Sequence, residues 1–144
     1  MLKIENYLPP FQERGNLATR LPIIAGHSNT ATVTTTATLT ALQAATGYVV
    51  STCTGTAAMT LTLPTGTLLG TQLGAIQGDT TDLFIDNSGG LATITIAAST
   101  NAVLSSMVST GTIPVLTVAT GATGVGRFTL MFTSPTAYTF SRTA

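Results

Sequence analysis

The sequence predicts an all-β protein: one β-sandwich or jelly-roll-like domain with an extended N-terminal arm and one short helix. Short segments alternate apolar and polar residues with the period of two that half-buried strands show. Residues that favour strands are abundant, since 32 of the 144 residues are threonine. Turn-forming residues recur about every 8–12 positions, a spacing typical of sandwiches and barrels.

The strands are predicted from this alternation and from the breaks that bound it. Residues 58–63 are a clear case, because apolar and polar side chains alternate up to Pro64, which cannot continue a paired strand. The other predicted strands are residues 30–40, 47–52, 82–87, 91–97, 102–109, 112–120, 126–133 and 137–142.

Three connecting segments carry their own signals. Ser88-Gly89-Gly90 separates two predicted strands and is typical of a hairpin turn. Residues 121–126 are glycine-rich but lack the lysine of a phosphate-binding loop, so we expect a flexible hairpin loop. Residues 65–75 have leucines at helical spacing, and Thr65 or Thr67 would cap a helix of one or two turns.

The charges divide the chain into residues 1–22, an extended arm, and residues 23–144, the β domain. Half of the charged residues lie within the first 20 positions, and none lies between residues 21 and 78. Prolines at positions 9, 10 and 22 favour extended backbone in the arm. An arm with no core of its own needs a surface, which we expect to belong at least partly to another subunit. The arm residues that we expect to bind a partner are Tyr7, Leu8, Phe11, Arg14 and Arg20.

The composition excludes several classes of function. Only 7% of the residues are charged, and five basic and five acidic residues cancel. Five cations cannot build the basic face of a nucleic-acid-binding protein. One cysteine and one histidine leave no disulfide framework and no structural zinc site. No apolar segment is long enough to span a membrane. We expect no enzyme, cofactor or metal, because catalysis needs converging titratable groups.

The titratable residues have plain structural interpretations. His27 is the one histidine of the chain and lies in a loop-like segment, between Gly26 and Ser28. Because catalysis would need both a nucleophile and a carboxylate nearby, a loop or interface role is favoured. Cys53 is expected to be a small buried apolar residue. Asp79, Asp82 and Asp86 form the one acidic cluster, and their spacing does not match a calcium loop. We expect a solvated face that pairs with Arg127 or Arg142, while a cation site stays an open alternative.

Threonine in such numbers suits a protein packed among identical copies. Its hydroxyl hydrates a pleated surface without introducing charges that repel neighbours. A net charge near zero also promotes association. Met1 to Gly15 contain no apolar segment of a signal peptide. We therefore expect a protein that folds in a host cytoplasm and leaves it on an assembled particle.

From about Thr56 onward, strand and turn motifs of the chain form a recognisable pattern. They are Leu61-Thr62-Leu63-Pro64-Thr65, the apolar turn around Leu68 to Ile76, Gly78-Asp79, Asp82-Leu83-Phe84-Ile85-Asp86-Asn87-Ser88-Gly89-Gly90, Ala92-Thr93-Ile94-Thr95-Ile96, Arg127-Phe128-Thr129-Leu130-Met131-Phe132 and Tyr138-Thr139-Phe140-Ser141-Arg142. In these motifs the chain resembles a family of viral structural proteins, the small β-sandwich proteins of tailed phages and large viruses, which include capsid decoration or cement proteins. The resemblance implies a capsid-surface location in the virion, binding to the major capsid protein, assembly as a homotrimer, and no chemistry.

Two other functions fit parts of the sequence. A viral fibre, receptor-binding or collar domain would share the β-rich composition, but no shaft repeat is present. Ice binding would use the recurring Thr-x-Thr motifs, but a flat solenoid needs them at a fixed period, and their intervals are irregular along the chain.

Overall fold

The computed structural model describes residues 31–105 and 116–144, which form a β-rich fold of two sheets with few helical residues. The arm, residues 1–22, lies outside the described residues, as do His27 and parts of the strands predicted over 102–109 and 112–120. The strands are β1 Ala31–Thr32, β2 Ala37–Thr38, β3 Tyr48–Val50, β4 Met59–Thr62, β5 Thr80–Asp86, β6 Ile94–Ala97, β7 Ala102–Leu104, β8 Thr117–Val118, β9 Val125–Ser134 and β10 Ala137–Arg142. The helices are α1 Ala41–Ala45 and α2 Gly66–Leu73, and a single 3-10 turn covers Gly121–Thr123.

The chain alternates between the two sheets over its first six strands. The six-stranded sheet A has the order β1-β3-β5-β9-β10-β7, and the four-stranded sheet B has the order β2-β4-β6-β8. Strands β1, β3 and β5 are parallel neighbours in sheet A, and β2, β4 and β6 are parallel neighbours in sheet B. Three successive coils, β1-β2, β3-β4 and β5-β6, therefore stack on one another. Jelly rolls are built from antiparallel strands, so these parallel pairs are a feature that the prediction did not include.

This winding corrects three predictions about connections. Ser88-Gly89-Gly90 is a crossover and not a hairpin, because β5 and β6 belong to different sheets. Residues 121–126 are also not a hairpin loop, since they lead from β8 in sheet B to β9 in sheet A. The strand predicted over residues 30–40 contains two short strands, β1 and β2, one in each sheet. Alternation along a strand reports its faces but not the sheet it joins, which explains these errors.

Both sheets contribute to one core. The inward side chains Leu83 and Ile85 of β5 and Phe128, Leu130 and Phe132 of β9 are at most 2% exposed. Met59, Leu61, Ile94 and Ile96 supply the corresponding side chains of sheet B. Cys53 belongs to the same cluster and is buried with a free thiol, as predicted. The period-two alternation of the sequence thus places apolar side chains on the inner faces.

Helix α2 confirms the predicted helical segment and its cap. The Thr65 hydroxyl accepts a hydrogen bond from the Leu68 N–H at 3.3 Å, and the helix ends at Gly74, whose φ is 60°. Helix α1 was not predicted, although its signal is present. The Thr40 hydroxyl accepts from the Gln43 N–H, and the Gln43 side chain accepts from the Thr40 N–H, which together make a capping box.

Helix α2 packs closely on the turn between β9 and β10. Gly66 and Gly70 are buried on the packed side of the helix. A Cβ atom added at Gly70 would overlap the carbonyl oxygen of Pro135, and one at Gly66 would overlap the carbonyl oxygens of Thr136 and Asn101. Two glycines spaced by one helical turn therefore let the helix approach the backbone of this turn.

The two helices lie at one end of the stacked coils. Helix α1 connects β2 to β3, and α2 lies between β4 and β5, so both belong to crossovers from sheet B to sheet A. Crossovers in the opposite direction, residues 33–36, 51–58 and 87–93, are loops. Because parallel strands run the same way, the helices meet at one end, where α1 contacts α2. We name this the helical end and the opposite one the loop end.

A buried hydroxyl makes the stability of the fold sensitive to alkaline pH. The Tyr138 hydroxyl donates to the carbonyl oxygen of Pro64 at 2.7 Å, and burial raises the pKa of Tyr138 well above its ordinary value of 10.0. Between pH 10 and the raised pKa, the Tyr138 hydroxyl loses its proton in the unfolded chain but keeps it in the folded chain. The contribution of Tyr138 to the free energy of unfolding should therefore be complete below pH 10. Above pH 10 this contribution should fall by up to about 1.4 kcal/mol per pH unit.

We expect Tyr138→Phe to remove this dependence. At pH 7 the variant should lose about 1–2 kcal/mol, because the Pro64 carbonyl loses its buried partner. Urea unfolding at pH 7 and pH 11 measures both effects. The stability difference between the variant and the unchanged protein should shrink at pH 11, and a constant difference would contradict the assignment.

Candidate functional site

The outer face of sheet B is an uncharged array of threonines. The strand register places Thr60, Thr95 and Thr117 in one row across β4, β6 and β8. A second row pairs Thr38 with Thr62 across β2 and β4. No strand of sheet B among the described residues contains a charged side chain. We name these five residues the threonine face. Of the Thr-x-Thr motifs, Thr60 and Thr62 contribute one residue to each row, and Thr95 belongs to the first row.

The outer face of sheet A has a different chemistry. Tyr48 on β3, Phe84 on β5 and Arg127 on β9 are paired across neighbouring strands. The rings of Tyr48 and Phe84 are stacked with centroids 6.2 Å apart and an interplanar angle of 25°. The guanidinium carbon of Arg127 lies 5.9 Å from the centroid of the Phe84 ring. Aromatic stacking and a cation–π contact therefore join three strands.

Two carboxylates flank this row on the same face. Asp82 accepts from the Arg127 guanidinium at 2.6 Å and from the Thr129 hydroxyl at 2.7 Å. Asp86 accepts from the Tyr48 hydroxyl at 2.6 Å. We name Tyr48, Asp82, Phe84, Asp86 and Arg127 the polar-aromatic strip. The Arg127 side chain is 46% exposed and that of Asp82 is 31% exposed, so solvent reaches the strip although its side chains are held by one another.

The protonation states of Asp86 and Tyr48 are fixed near neutral pH. Hydrogen bonds from Ser88 and then from Tyr48 hold the pKa of Asp86 below its ordinary value. The bond to Asp86 raises the pKa of the Tyr48 phenol. The carboxylate therefore stays charged and the phenol stays neutral over the whole range between their titrations. The hydrogen bond between Tyr48 and Asp86 is lost as the pH falls through the lowered pKa of Asp86, and also as it rises through the raised pKa of Tyr48.

The structure separates the three aspartates of the predicted acidic cluster. Asp82 and Asp86 share the outer face of β5, as predicted, but Phe84 lies between them. Asp82 pairs with Arg127, which confirms one of the two predicted partners, whereas Arg142 donates to the carbonyl oxygen of Thr117. Asp79 accepts from the Ile76 N–H at 3.0 Å in the turn before β5. Within residues 31–105 and 116–144, no three acidic, cysteine or histidine side chains gather as a metal site requires.

Asn87 is a residue whose role the sequence did not indicate. Its side chain is fully buried at the end of β5, at the loop end. The amide nitrogen donates to the carbonyl oxygens of Ala92, Val118 and Ala119, and the amide oxygen accepts from the Cys53 N–H at 3.3 Å. One side chain thus joins the crossover from β3 to β4, the crossover from β5 to β6, and the end of β8. The only signal was an Asn-Ser-Gly-Gly stretch, which is also typical of an exposed turn.

The predicted partner-binding residues of the arm, Tyr7, Leu8, Phe11, Arg14 and Arg20, lie outside the described residues, so the structure brings none of them to the strip. No protein-family model, curated protein or solved structure matches this chain. The functional interpretation therefore depends on the chemistry of the two outer faces. Among the described helices, none is long and apolar enough to cross a membrane.

Proposed function

We propose that the protein is a non-enzymatic virion structural protein of the capsid decoration or cement type, which binds the major capsid protein on the shell surface. Its two sheets would form a β-sandwich, since their apolar faces contribute to one core. The alternative is a fibre, receptor-binding or collar domain of a virus. One observation carries the proposal: the outer faces of the two sheets differ in chemistry. Sheet A presents the polar-aromatic strip, and sheet B presents the uncharged threonine face.

Three of the five strip residues, Tyr48, Phe84 and Arg127, are of types that are enriched at protein interfaces. Tyrosine and arginine are the residues that most often contribute binding energy at such interfaces, and phenylalanine is enriched there too. Tyr48, Phe84 and Arg127 are already held by stacking and by ion pairing. A partner would therefore bind side chains that lose little conformational freedom, which favours affinity.

The threonine face suits close packing against neighbouring molecules. Its side chains offer hydrogen bonds without charge, so identical copies can approach without electrostatic repulsion. Binding of many copies to a repeating shell then accumulates from modest individual contacts. The resemblance to decoration proteins from about Thr56 onward supports the same interpretation, including the homotrimer that it implies.

Copy number in purified particles tests the proposal directly. Particles from the natural host should be purified on a density gradient and quantified by mass spectrometry. The copy number of this protein should stand in a fixed ratio to that of the major capsid protein, and the two numbers should be similar. A ratio far below that value would favour the fibre or collar alternative. Absence of the protein from the particles would contradict both.

Binding of variants to shells tests the role of the strip. We expect Arg127→Ala to weaken binding to shells of the major capsid protein by about tenfold, because it removes the cation above Phe84 and leaves Asp82 without its guanidinium partner. Met131→Ala is the matched control, since Met131 lies on the same face of β9 and is 46% exposed but is not in the strip. Co-sedimentation with the shells measures both affinities. Equal binding of the two variants would exclude the strip as the contact surface.

A further inference from the structure

The helical end presents an apolar surface with one charged residue, Asp79, at its margin. Of the seven large apolar residues that are exposed in the described ranges, three lie in the crossovers from sheet B to sheet A. They are Leu42 on α1 at 65% exposure, Leu68 on α2 at 60%, and Ile76 after α2 at 54%. The crossover containing α2 has no charged side chain from Leu63 to Gly78, and α1 has none. Asp79, the last residue of that crossover, accepts from the Ile76 N–H. Such a surface favours an apolar occupant over a charged one.

The N-terminal part of the chain begins its path at this same end. Strand β1 is parallel to β3, and Ala31 pairs with Val49, one position after β3 begins. Because α1 leads directly into β3, the start of β1 also lies at the helical end. Residues 23–30 would connect the arm to β1, and eight residues span at most about 28 Å. The arm is thus tethered within reach of Leu42, Leu68 and Ile76.

The arm contains apolar side chains that could cover the exposed apolar residues of the helical end. Residues 1–22 contain five charged residues, and also large apolar side chains that can face the surface while the charges face solvent. The Pro9-Pro10 pair restricts the backbone there to extended conformations. A restricted segment loses less conformational entropy on docking than a free one. A short tether raises the effective concentration to the millimolar range, so even weak apolar contacts suffice. The apolar side chains of the arm are Leu2, Ile4, Tyr7, Leu8, Phe11 and Leu17.

We propose that residues 1–22 dock on the helical end of their own chain, with their apolar side chains covering Leu42, Leu68 and Ile76. This inference concerns the free protein and does not depend on the proposed capsid function. It replaces, for the free protein, the sequence-based expectation that the arm lies partly on another subunit.

The arm carries its own reporter, because Arg14 and Arg20 are trypsin sites. In the full chain we expect slow cleavage after these residues, at a rate independent of protein concentration. Leu42→Gln combined with Leu68→Gln should increase the cleavage rate at least tenfold, since the docking surface is lost. Both positions are exposed on helices that glutamine suits, so the fold should persist, as circular dichroism would verify.

Two further variants make the test specific. Leu91→Gln is the matched control, because Leu91 is 69% exposed but lies in a crossover at the loop end, and its arm should be cleaved at the original rate. Phe11→Gln should accelerate cleavage after Arg14 and Arg20 in the full chain and add little to the Leu42 and Leu68 double variant. Equal cleavage rates in the unchanged protein and the double variant would overturn the proposal. Protection that disappears on dilution, together with a multimeric mass by light scattering, would also overturn it and assign the surface to the arm of another copy.

Discussion

Gly70→Ala should lower the free energy of unfolding by about 3 kcal/mol. The added Cβ atom would overlap the carbonyl oxygen of Pro135 and lie 3.0 Å from its carbonyl carbon. These are backbone atoms of the tight turn between β9 and β10, so they cannot move aside as a flexible side chain would. Overpacking of this kind costs about 1–3 kcal/mol and occasionally more. Alanine's higher helix propensity would by itself stabilise α2 by about 1 kcal/mol, so the sign of the result shows which effect dominates.

Two substitutions serve as controls for Gly70→Ala. Gly55→Ala introduces the same methyl group where the nearest heavy atom, the Ala57 nitrogen, is 4.0 Å away, so stability should change by less than about 0.5 kcal/mol. Thr71→Ala changes the neighbouring, exposed position of α2 and should be neutral or slightly stabilising. Urea unfolding followed by circular dichroism compares all three. Gly70→Ala with unchanged stability would show that α2 does not pack on this turn.

Asn87→Leu should lower the free energy of unfolding by about 4 kcal/mol. Leucine has similar volume but no amide, so the three carbonyl groups and the Cys53 N–H that contact Asn87 would all lose this partner. A buried polar group left without a partner costs about 1–3 kcal/mol, and such costs do not add fully within one network. The loss should affect both sheets, because Asn87 ends β5 of sheet A and contacts Val118 of sheet B.

Thr93→Ala is the matched control for Asn87→Leu, since Thr93 lies in the same crossover but is exposed. It should change stability by less than about 0.5 kcal/mol. Thermal unfolding followed by far-ultraviolet circular dichroism distinguishes the two variants. If Asn87→Leu and Thr93→Ala have the same melting temperature, the buried amide is not what joins the loop end to the two sheets.

Strand positions could be predicted from the sequence, but strand partners could not. The segment predicted over residues 137–142 is β10 itself, and residues 58–63 contain β4. Alternation is a local property that each strand carries alone. Whether β5 pairs with β6 or with β3 depends on the packing of distant residues, and nothing within residues 82–97 specifies it. The hairpin expected at Ser88-Gly89-Gly90 failed for this reason.

The same limit applies to the candidate site. The pairing of Asp82 with Arg127 could be anticipated, because the described part of the chain has few charges and both residues alternate onto strand faces. The contact of Tyr48 with Phe84 could not, since it depends on the parallel register between β3 and β5. Helix α1 is a different case. Thr40 and Gln43 have the spacing of a capping box, so this helix could have been recognised from the sequence.

The alternating path of the chain also bears on its synthesis at the ribosome. The first three coils emerge in the order in which they stack, so each new strand can pair at once with one already made. The free edge of β5, in contrast, is covered only when β9 emerges, and β7 finds its partner only in β10, the last strand. A nascent chain that already contains β6 but ends before residue 116 therefore has unpaired edges at both β5 and β6. Such edges are templates for pairing with other chains, so this length of nascent chain is the one most exposed to aggregation.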